Sequence, residues 1–554
     1  MSLNPVNFCG LYPIVLNEFG GMNSEVGLGA DAPLEPENLD REKRRSLPRW
    51  LKYSVIVLIA LGVFFRFYHL DKKVYWIDET NSSLRTLGYT KTELIETLFT
   101  GDVITAAQLH QFQQLSPERG WDDTWNALTG TAEHTPLYFL LARAWVGLVG
   151  HSVAAMRFLT ALFSVLVLPC LYWLCYELFG APIVGWIAMG LVAVTPVHVL
   201  YAQEARPYSL LSVLVLLSSA VLLRTLRTNT RRNWIAYGLT VAAGLYTQLL
   251  FGLVVMAQGL YVFLTEQWPM KRTYLIAAGA SSLSLVPWLL ILVRNWQKVQ
   301  QSTISLNDGY SSSYIFDRWF LNLNLAFLSR ELGGANILLV IITLIALYVF
   351  CRSAPKRAWL FVLLLIGVTF TVLAVPDLIL GGRRSLRIRY LFPCFLGMQI
   401  AYAYVFATQA VWAKTWRQQL WRGFMVVLVA GGLATCMASS QAVVWWNKSV
   451  PRSSYYPPVA ELINQAANPL VVSDGPVTDT LAFSAWLEPD VKLQLVATEP
   501  RKLKIAPGYD PVYLLNPSEQ LQKILTRRGY KLSVAYEDRA DPTEVENRLW
   551  LAKQ

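Results

Sequence analysis

The sequence predicts an α-helical polytopic membrane protein with about 11 to 13 transmembrane helices and a small C-terminal α/β domain. Of the 554 residues, 54% are hydrophobic and only 15% are charged, whereas a soluble domain of this size would be about a quarter charged. Long apolar runs alternate with short basic loops, and beyond Arg452 these runs shorten while charge rises. These observations assign residues 49–445 to the membrane and residues 452–554 to a domain outside it.

The net charge of +11 does not indicate a nucleic-acid partner. Many arginines and lysines lie in short loops between apolar runs, where such residues set the orientation of a membrane protein. The six cysteines lie mainly within apolar runs, and no CxxC spacing occurs. We therefore expect neither a disulfide framework nor a cysteine-based metal site.

Residues 1–48 lack apolar periodicity and contain proline, glycine and acidic residues, so they are predicted to form a mostly disordered cytoplasmic tail. The first long apolar run covers about residues 53–68 and follows the basic cluster at 41–45. Because basic flanks favour the cytoplasm, the first helix is expected to run outward from a cytoplasmic N-terminus. No cleavable signal pattern begins at Met1, so this helix should remain as an anchor.

The charges of the later loops decide which runs cross the membrane. Four basic loops can all be cytoplasmic only if run 233–265 forms two spans and run 134–150 does not cross. We therefore predict a fold-back near residues 246–248 and an interfacial or re-entrant helix at 134–150. This helix follows an outer loop at 69–133. The count is then about eleven spans, with one or two more possible and the C-terminus outside.

This topology collects a set of polar residues at the outer face. They include an acidic pair after the first span, a second acidic turn, and an arginine cluster (Arg383, Arg384, Arg387, Arg389) on the side that should be poor in arginine. The candidate site residues are Asp78, Glu79, His134, Glu204, Arg206, Tyr208, Arg384, Arg387, Arg389 and Tyr390. Arginine's planar fork suits phosphate oxygens, so the cluster indicates an anion site.

Each candidate also has a structural interpretation. Asp78 and Glu79 fit a helix start, where a capping residue and a first-turn acid are favourable. His134 fits a polar helix start, and Glu204 fits a helix-start acid ahead of Pro207. The arginine cluster also fits a solvated loop, because the charge rule is a bias with exceptions.

Together the residues indicate glycosyl transfer from a lipid phosphate. The sequence contains no GxGxxG, GxxxxGK[ST], HExxH or DxD motif, and cytoplasmic nucleotides have little access to an outer membrane face. A carboxylate would take the proton from an acceptor hydroxyl as it attacks the anomeric carbon of the sugar. The leaving phosphate is stable as an anion, so cations rather than a proton donor would stabilise it.

Four motifs in this order resemble those of the GT-C membrane glycosyltransferases. They are Asp78-Glu79, HTPLYF at 134–139, QEARPY at 203–208 and RYLFP at 389–393. The branch they resemble holds protein O-mannosyltransferases and the aminoarabinose transferase that modifies lipid A, and the resemblance covers about residues 50–445. It implies a GT-C fold, in-plane helices in the first outer loop, a polyprenyl- or dolichyl-phosphate sugar donor, and inversion at the anomeric centre.

The resemblance also implies roles for single residues. Asp78 would be the general base, with Glu79 orienting it or the acceptor. Glu204 would be the second outer-loop acid, and Arg206 would support it or bind the phosphate. The remaining candidates would bind donor or acceptor: His134, Tyr208, Arg384, Arg387, Arg389 and Tyr390. The aminoarabinose transferase has Lys where this chain has Thr135, and Asp where it has Glu204. These departures leave the donor sugar open.

No cofactor is expected to be required, because no ligand spacing demands a metal, although the three acids could bind a divalent ion. The acceptor is left open as a protein, lipid or glycan. The expected location is a bacterial inner membrane, with the C-terminal domain in the periplasm. The alternative is a transporter or flippase of lipid-linked sugars, which would suit many spans. Against it, no internal repeat is evident, and the ionisable residues gather at one surface rather than at mid-span.

The C-terminal segment is predicted to alternate strands and helices. Strands are expected near 469–473, 491–496, 511–515 and 530–535, and helices near 459–467, 477–487 and 518–528. This domain could help acceptor binding or only cap the membrane domain.

Overall fold

The structure is a computed structural model that describes residues 48–304, 309–411, 413–497, 503–541 and 544–553. Residues 1–47 of the predicted tail lie outside this part of the chain. Helix α1 (Arg49–Phe67) is followed by the outer loop, which is folded throughout. Its elements are α2 (Ile77–Leu87), α3 (Lys91–Leu98), strand β1 (Thr100–Thr105), α4 (Ala106–His110) and α5 (Trp121–Thr129).

The central part of the chain is a helical bundle. Its elements are α6 (Leu137–Val149), α7 (Val153–Phe179), α8 (Pro182–Val194), α9 (Pro196–Ala202), α10 (Tyr208–Thr228), α11 (Arg231–Thr247), α12 (Phe251–Thr265), α13 (Trp268–Leu283), α14 (Val286–Arg294), α15 (Trp296–Thr303), α16 (Ser312–Phe327), α17 (Asn336–Ser353), α18 (Lys356–Leu380), α19 (Phe392–Val405) and α20 (Trp416–Gln441). The predicted fold-back in run 233–265 is confirmed, because α11 ends at Thr247 and α12 begins at Phe251.

Within the described residues, six helices are long and apolar enough to cross a membrane, or up to eight if two bent pairs each count as one span. The predicted count of about eleven also includes three shorter helices, α11, α12 and α19. Helix α6 has 13 residues, so it rises only about 20 Å. That length is short of an apolar bilayer core of about 30 Å, as are those of α12 and α19, and the interfacial or re-entrant placement of α6 stays a prediction.

A bend of 59° separates α8 from α9. Pro196 begins α9 and has no backbone N–H, so the carbonyl four residues earlier, on Val192, lacks its usual helical partner. The fully buried Arg66 of α1 donates to this carbonyl at 3.2 Å and to that of Ala193 at 2.6 Å. Arg66 therefore supplies hydrogen-bond donors to the carbonyl groups at this break. The break directs α9 toward the turn at residues 203–207.

The C-terminal segment forms helices α21 (Val450–Ser453), α22 (Tyr456–Asn464), α23 (Val477–Ser484) and α24 (Glu519–Arg527), with strands β2 (Leu470–Ser473), β3 (Lys492–Val496), β4 (Val512–Leu515), β5 (Lys531–Asp541) and β6 (Glu544–Lys553). All four predicted strands and all three predicted helices are confirmed. The sheet order is β1-β3-β2-β4-β6-β5, and β2 is parallel to both β3 and β4. The sequence predicted neither β6 nor the participation of β1.

The outer loop and the C-terminal segment share one hydrophobic core. Strand β1 of the loop pairs with β3, and Leu84 and Leu87 of α2 belong to the same buried cluster as Leu481 and Phe483 of α23. The imidazole of His110 lies within hydrogen-bonding distance of the carbonyl oxygen of Ser484, at 2.7 Å. The C-terminal domain therefore packs directly against the outer loop, which carries Asp78.

Candidate active site

A cavity of about 450 Å³ opens between the outer loop, the turn after α9 and the segment before α19. We call it the arginine-lined cavity. Eight of the ten candidate residues line it: Asp78, His134, Arg206, Tyr208, Arg384, Arg387, Arg389 and Tyr390. Chain segments more than 300 residues apart thus converge, as the topology predicted. Glu79 and Glu204 are not among its lining residues, whereas Asn81, Arg85, Glu133 and Gln248 also line it.

Asp78 lies in the first turn of α2, where the helix dipole favours a carboxylate. Its Oδ2 is 2.5 Å from Nη1 of Arg389 and 3.7 Å from Nη2 of Arg206, and 22% of its side chain is exposed. Burial alone would raise the pKa of Asp78, but the charges of Arg389, Arg206 and Arg85 outweigh it and lower this pKa to about 2. The group is a carboxylate at neutral pH, and its pairing with Arg389 and Arg206 makes it a weak base.

Arg206 is positioned by several acceptors. Its Nη1 donates to the backbone oxygen of Asp78 and to Oγ of Ser82, each at 3.2 Å, and its Nη2 donates to the hydroxyl of Tyr208 at 3.3 Å. Only 5% of the Arg206 side chain is exposed. This arginine therefore fixes the start of α2 against the turn at 203–207.

The arginine cluster is shaped by a buried carboxylate at the end of α18. Asp377 accepts hydrogen bonds from the backbone N–H of Ser385 at 2.6 Å and from its hydroxyl at 2.7 Å. It also forms an ion pair with Arg384 at 3.4 Å. Burial and the neighbouring charge of Arg389 lower the pKa of Arg387. The arginines of the cavity wall are thus held close together, and a bound anion would offset the repulsion between their charges.

His134 also faces this positive wall. Burial and the charges of Arg85 and Arg206 hold the pKa of His134 well below its usual range. Its imidazole is therefore neutral at physiological pH and can offer one donor and one acceptor.

Glu79 is not part of the cavity lining and lies in a fully buried ion cluster. Arg157 donates from Nε and Nη2 to the two carboxylate oxygens at 2.8 Å each, and Lys448 donates to Oε2 at 2.8 Å. The backbone N–H of Ala205 donates to Oε1 at 2.9 Å. Burial alone would raise the pKa of Glu79, but Arg157 and Lys448 lower it to about 2. Glu79 joins α2, α7 and the turn after α9.

Glu204 belongs to the same cluster. Its Oε1 accepts a hydrogen bond from Nδ2 of Asn447 at 2.6 Å and lies 3.9 Å from Nζ of Lys448. Burial raises the pKa of Glu204 to about 7, against the opposing effect of Lys448. We call the group formed by Glu79, Arg157, Glu204 and Lys448 the buried ion cluster.

Sequence reasoning missed both cations of this cluster. Arg157 lies in the apolar run at 155–179, and a charged residue inside such a run is a signal for a functional or paired group. Lys448 lies in a polar segment where nothing marks it. Among the described residues, no group of three or more His, Cys, Asp or Glu side chains could hold a metal ion.

Comparison with known proteins supports the fold. Residues 133–291 match the family model described as dolichyl-phosphate-mannose-protein mannosyltransferase. The structure matches ArnT from Cupriavidus metallidurans bound to undecaprenyl phosphate with a TM-score of 0.53 and 14% identity, covering 90% of this chain and 97% of ArnT. The apo form of the same protein matches with a TM-score of 0.51 and 13% identity, over the same shares of the two chains.

The archaeal oligosaccharyltransferase AglB from Archaeoglobus fulgidus, solved with an inhibitory peptide and a dolichol-phosphate, matches with a TM-score of 0.45 and 12% identity. That match covers 80% of this chain and 64% of AglB. No curated protein sequence matches this chain significantly. The predicted GT-C fold, and with it the resemblance to membrane glycosyltransferases, is confirmed.

Proposed function

We propose that this protein is an integral membrane glycosyltransferase that moves a sugar from a polyprenyl-phosphate donor to an acceptor nucleophile. The observation that carries the proposal is the carboxylate of Asp78 in a cavity that Arg206, Arg384, Arg387 and Arg389 also line, with Arg389 paired to the carboxylate. The family match over residues 133–291 and the fold shared with a protein solved with undecaprenyl phosphate support it. The acceptor class is a protein, lipid or glycan hydroxyl.

In the proposed reaction, Asp78 takes the proton of the acceptor hydroxyl as its oxygen forms a bond to the anomeric carbon. The bond between that carbon and the donor phosphate breaks, and its electron pair leaves with the phosphate. Attack opposite the leaving group inverts the anomeric centre. The phosphate gains one negative charge, so arginines placed around it stabilise the transition state more than the ground state.

The contacts of Asp78 give Arg389 a second role in this scheme. Before the donor binds, the Arg389 guanidinium is paired with the Asp78 carboxylate. A donor phosphate in the cavity would compete for the same guanidinium and neutralise part of its charge. Because that charge lowers the pKa of Asp78, donor binding would raise the basicity of the group that must accept the proton.

The other lining candidates are proposed to bind substrate. Arg206, Arg384 and Arg387 would hold the phosphate with Arg389, and Tyr208 and Tyr390 would border it. The neutral His134 would donate a hydrogen bond to the sugar or acceptor. Glu79 and Glu204, which lie outside the cavity wall, are proposed to position the machinery rather than to touch substrate.

The proposed location is a bacterial inner membrane, with the cavity and the C-terminal domain on the periplasmic side. The apolar helices would hold the protein among membrane lipids, where the polyprenyl chain of the donor also resides. The proposed chemistry needs no metal ion, since arginines supply the positive charge at the leaving group.

The proposal is tested by measuring turnover of a panel of polyprenyl-phosphate sugars by the purified protein in nanodiscs, without an ion gradient. We expect the protein to release polyprenyl phosphate and to form a glycosylated acceptor. Binding of the donors without chemical conversion, together with their movement across a sealed vesicle, would instead favour the transporter.

Replacing Arg389 is expected to change the pH dependence of the reaction. The carboxylate form of Asp78 is active, and its pKa of about 2 in the free protein puts the acid limb below the usual assay range. Without the charge of Arg389 this pKa rises, so the pH below which kcat/KM is lost should be higher in Arg389→Gln than in the wild type. The donor KM should also rise, by roughly 10-fold or more, because a charge-assisted contact to phosphate is lost.

The exposed Arg330, which does not line the cavity, provides the control for this measurement. Arg330→Gln should reproduce the wild-type pH profile and donor KM. An Arg389→Gln protein whose acid limb coincides with that of the wild type would show that Arg389 does not control the basicity of Asp78.

A further inference from the structure

The segment that follows α20 places the charged side chain of Lys448 in the protein interior. After α20 ends at Gln441, Val443 accepts a backbone hydrogen bond from Val74 at 2.9 Å, and a short 3-10 turn covers Trp446–Lys448. Lys448 is fully buried. Its ammonium group donates to Oε2 of Glu79 at 2.8 Å and to the backbone oxygen of Gln203 at 3.0 Å. This lysine links the C-terminal segment to α2.

The contacts of Glu79 explain why this link matters for the site. Glu79 directly follows Asp78 in the first turn of α2, so displacement of one carboxylate displaces the other. Its partners Arg157 and Ala205 lie on α7 and on the turn after α9. Glu79 is thus fixed from three directions, and Lys448 supplies the only one that comes from beyond residue 400 among its described hydrogen bonds.

Each charged group of the buried ion cluster has a partner of opposite sign. Two carboxylates, Glu79 and Glu204, face two cations, Arg157 and Lys448, and a buried charge is tolerated when it is paired. A third cation, Lys73, donates to Oε1 of Gln203 at 2.8 Å. Burial and the neighbouring charges of Lys448 and Arg157 lower the pKa of Lys73 to about 7. Loss of Lys448 would leave Glu79 paired with Arg157 and would raise the pKa of Glu204, which Lys448 lowers.

We infer that Lys448 is a positioning residue: by holding Glu79 and the backbone of Gln203, it fixes the start of α2 and therefore the placement of Asp78 against Arg389. This inference rests on the proposed glycosyl transfer. It makes the segment that leads into the C-terminal domain a part of the active-site scaffold. The core that α23 shares with Leu84 and Leu87 holds the rest of α2 from the same side.

The test compares Lys448→Met with the double variant Lys448→Met/Glu204→Gln, which removes one positive and one negative charge together. We expect Lys448→Met to lower kcat by about 10- to 100-fold, because small misplacement of a catalytic group has effects of that size. Donor KM should stay within about 3-fold, since the arginine wall is unchanged. The double variant should keep most of this loss of kcat, because it too lacks the hydrogen bonds to Glu79 and to the backbone of Gln203.

Hydrogen–deuterium exchange supplies a second readout that does not need turnover. Exchange should rise in α2 in both Lys448→Met and the double variant, while α7 stays protected. Lys523→Met serves as the matched control, because Lys523 pairs with Glu519 at 3.0 Å on the exposed surface of the same domain. It should leave kcat and exchange unchanged.

Two outcomes would overturn the inference. One is wild-type kcat and exchange in Lys448→Met or in the double variant; in the latter case charge imbalance, and not the lost contacts of Lys448, would cause the defect. The other is an equal loss of kcat, donor binding and exchange protection throughout the C-terminal domain in both the single and the double variant, which would mean a merely structural lysine. If the wild type converts no donor, the proposed function fails, and the exchange of α2 still decides whether Lys448 positions it.

Discussion

Asp78→Asn is expected to lower kcat by roughly 100-fold or more, because it removes the proposed general base. Donor binding should be retained or strengthened. The substitution removes the negative charge that faces Arg389 and Arg206 in the free protein, so both guanidiniums become available to the phosphate. The measurement is single-turnover conversion of a polyprenyl-phosphate sugar beside equilibrium binding of polyprenyl phosphate.

The exposed Asp71 of the same loop provides the control, and Asp71→Asn should keep the wild-type rate. Full activity in Asp78→Asn would show that Asp78 is not the general base. The fold and its resemblance to membrane glycosyltransferases would be unaffected. Loss of binding together with turnover would instead show that the carboxylate organises the arginine wall.

Arg157→Met is expected to have the largest effect on stability. The fully buried guanidinium donates to both carboxylate oxygens of Glu79 and to the backbone oxygens of Leu70, Lys73 and Val74. Removing one partner of a buried ion pair leaves an uncompensated charge and costs about 3–5 kcal/mol. The melting temperature in detergent should therefore fall markedly. Activity should fall as well, because the backbone carbonyls of the segment that leads into α2 lose their hydrogen-bond donor.

Arg357→Met is the matched control, since this arginine pairs with Glu266 at 3.2 Å but is 68% exposed. An exposed pair contributes about 0–1 kcal/mol, so its melting temperature should stay near that of the wild type. An unchanged melting temperature in Arg157→Met would contradict the importance assigned to the buried ion cluster.

The membrane fold and part of the site could be predicted because their signals are local. Apolar runs mark helices, and loop charge orients them. That topology placed Asp78 and the arginine cluster on one face, and the cavity indeed contains Asp78, Arg387 and Arg389 together. The fold-back between α11 and α12 followed from the length of one run, since a span needs only about 20 residues.

The sequence was less informative about which acids face the cavity. Asp78 and Glu79 are neighbours of the same charge type, and only the rotation of α2 decides that Asp78 lines the cavity while Glu79 lies in the buried ion cluster. Successive residues in a helix point in directions about 100° apart. The placement of that helix depends on Arg157 and Lys448, which lie 78 and 369 residues from Glu79.

By itself, the sequence determined the membrane class, the break points of the apolar runs and the strands and helices of the C-terminal segment, because hydrophobic periodicity and turn residues act over short distances. The tertiary structure alone decided that β1 of the outer loop joins the C-terminal sheet and that Lys448 pairs with Glu79. Such pairings join distant segments whose partners carry no local signal. They form because a buried charge or an unpaired strand edge must be satisfied wherever the folded chain brings a partner within reach.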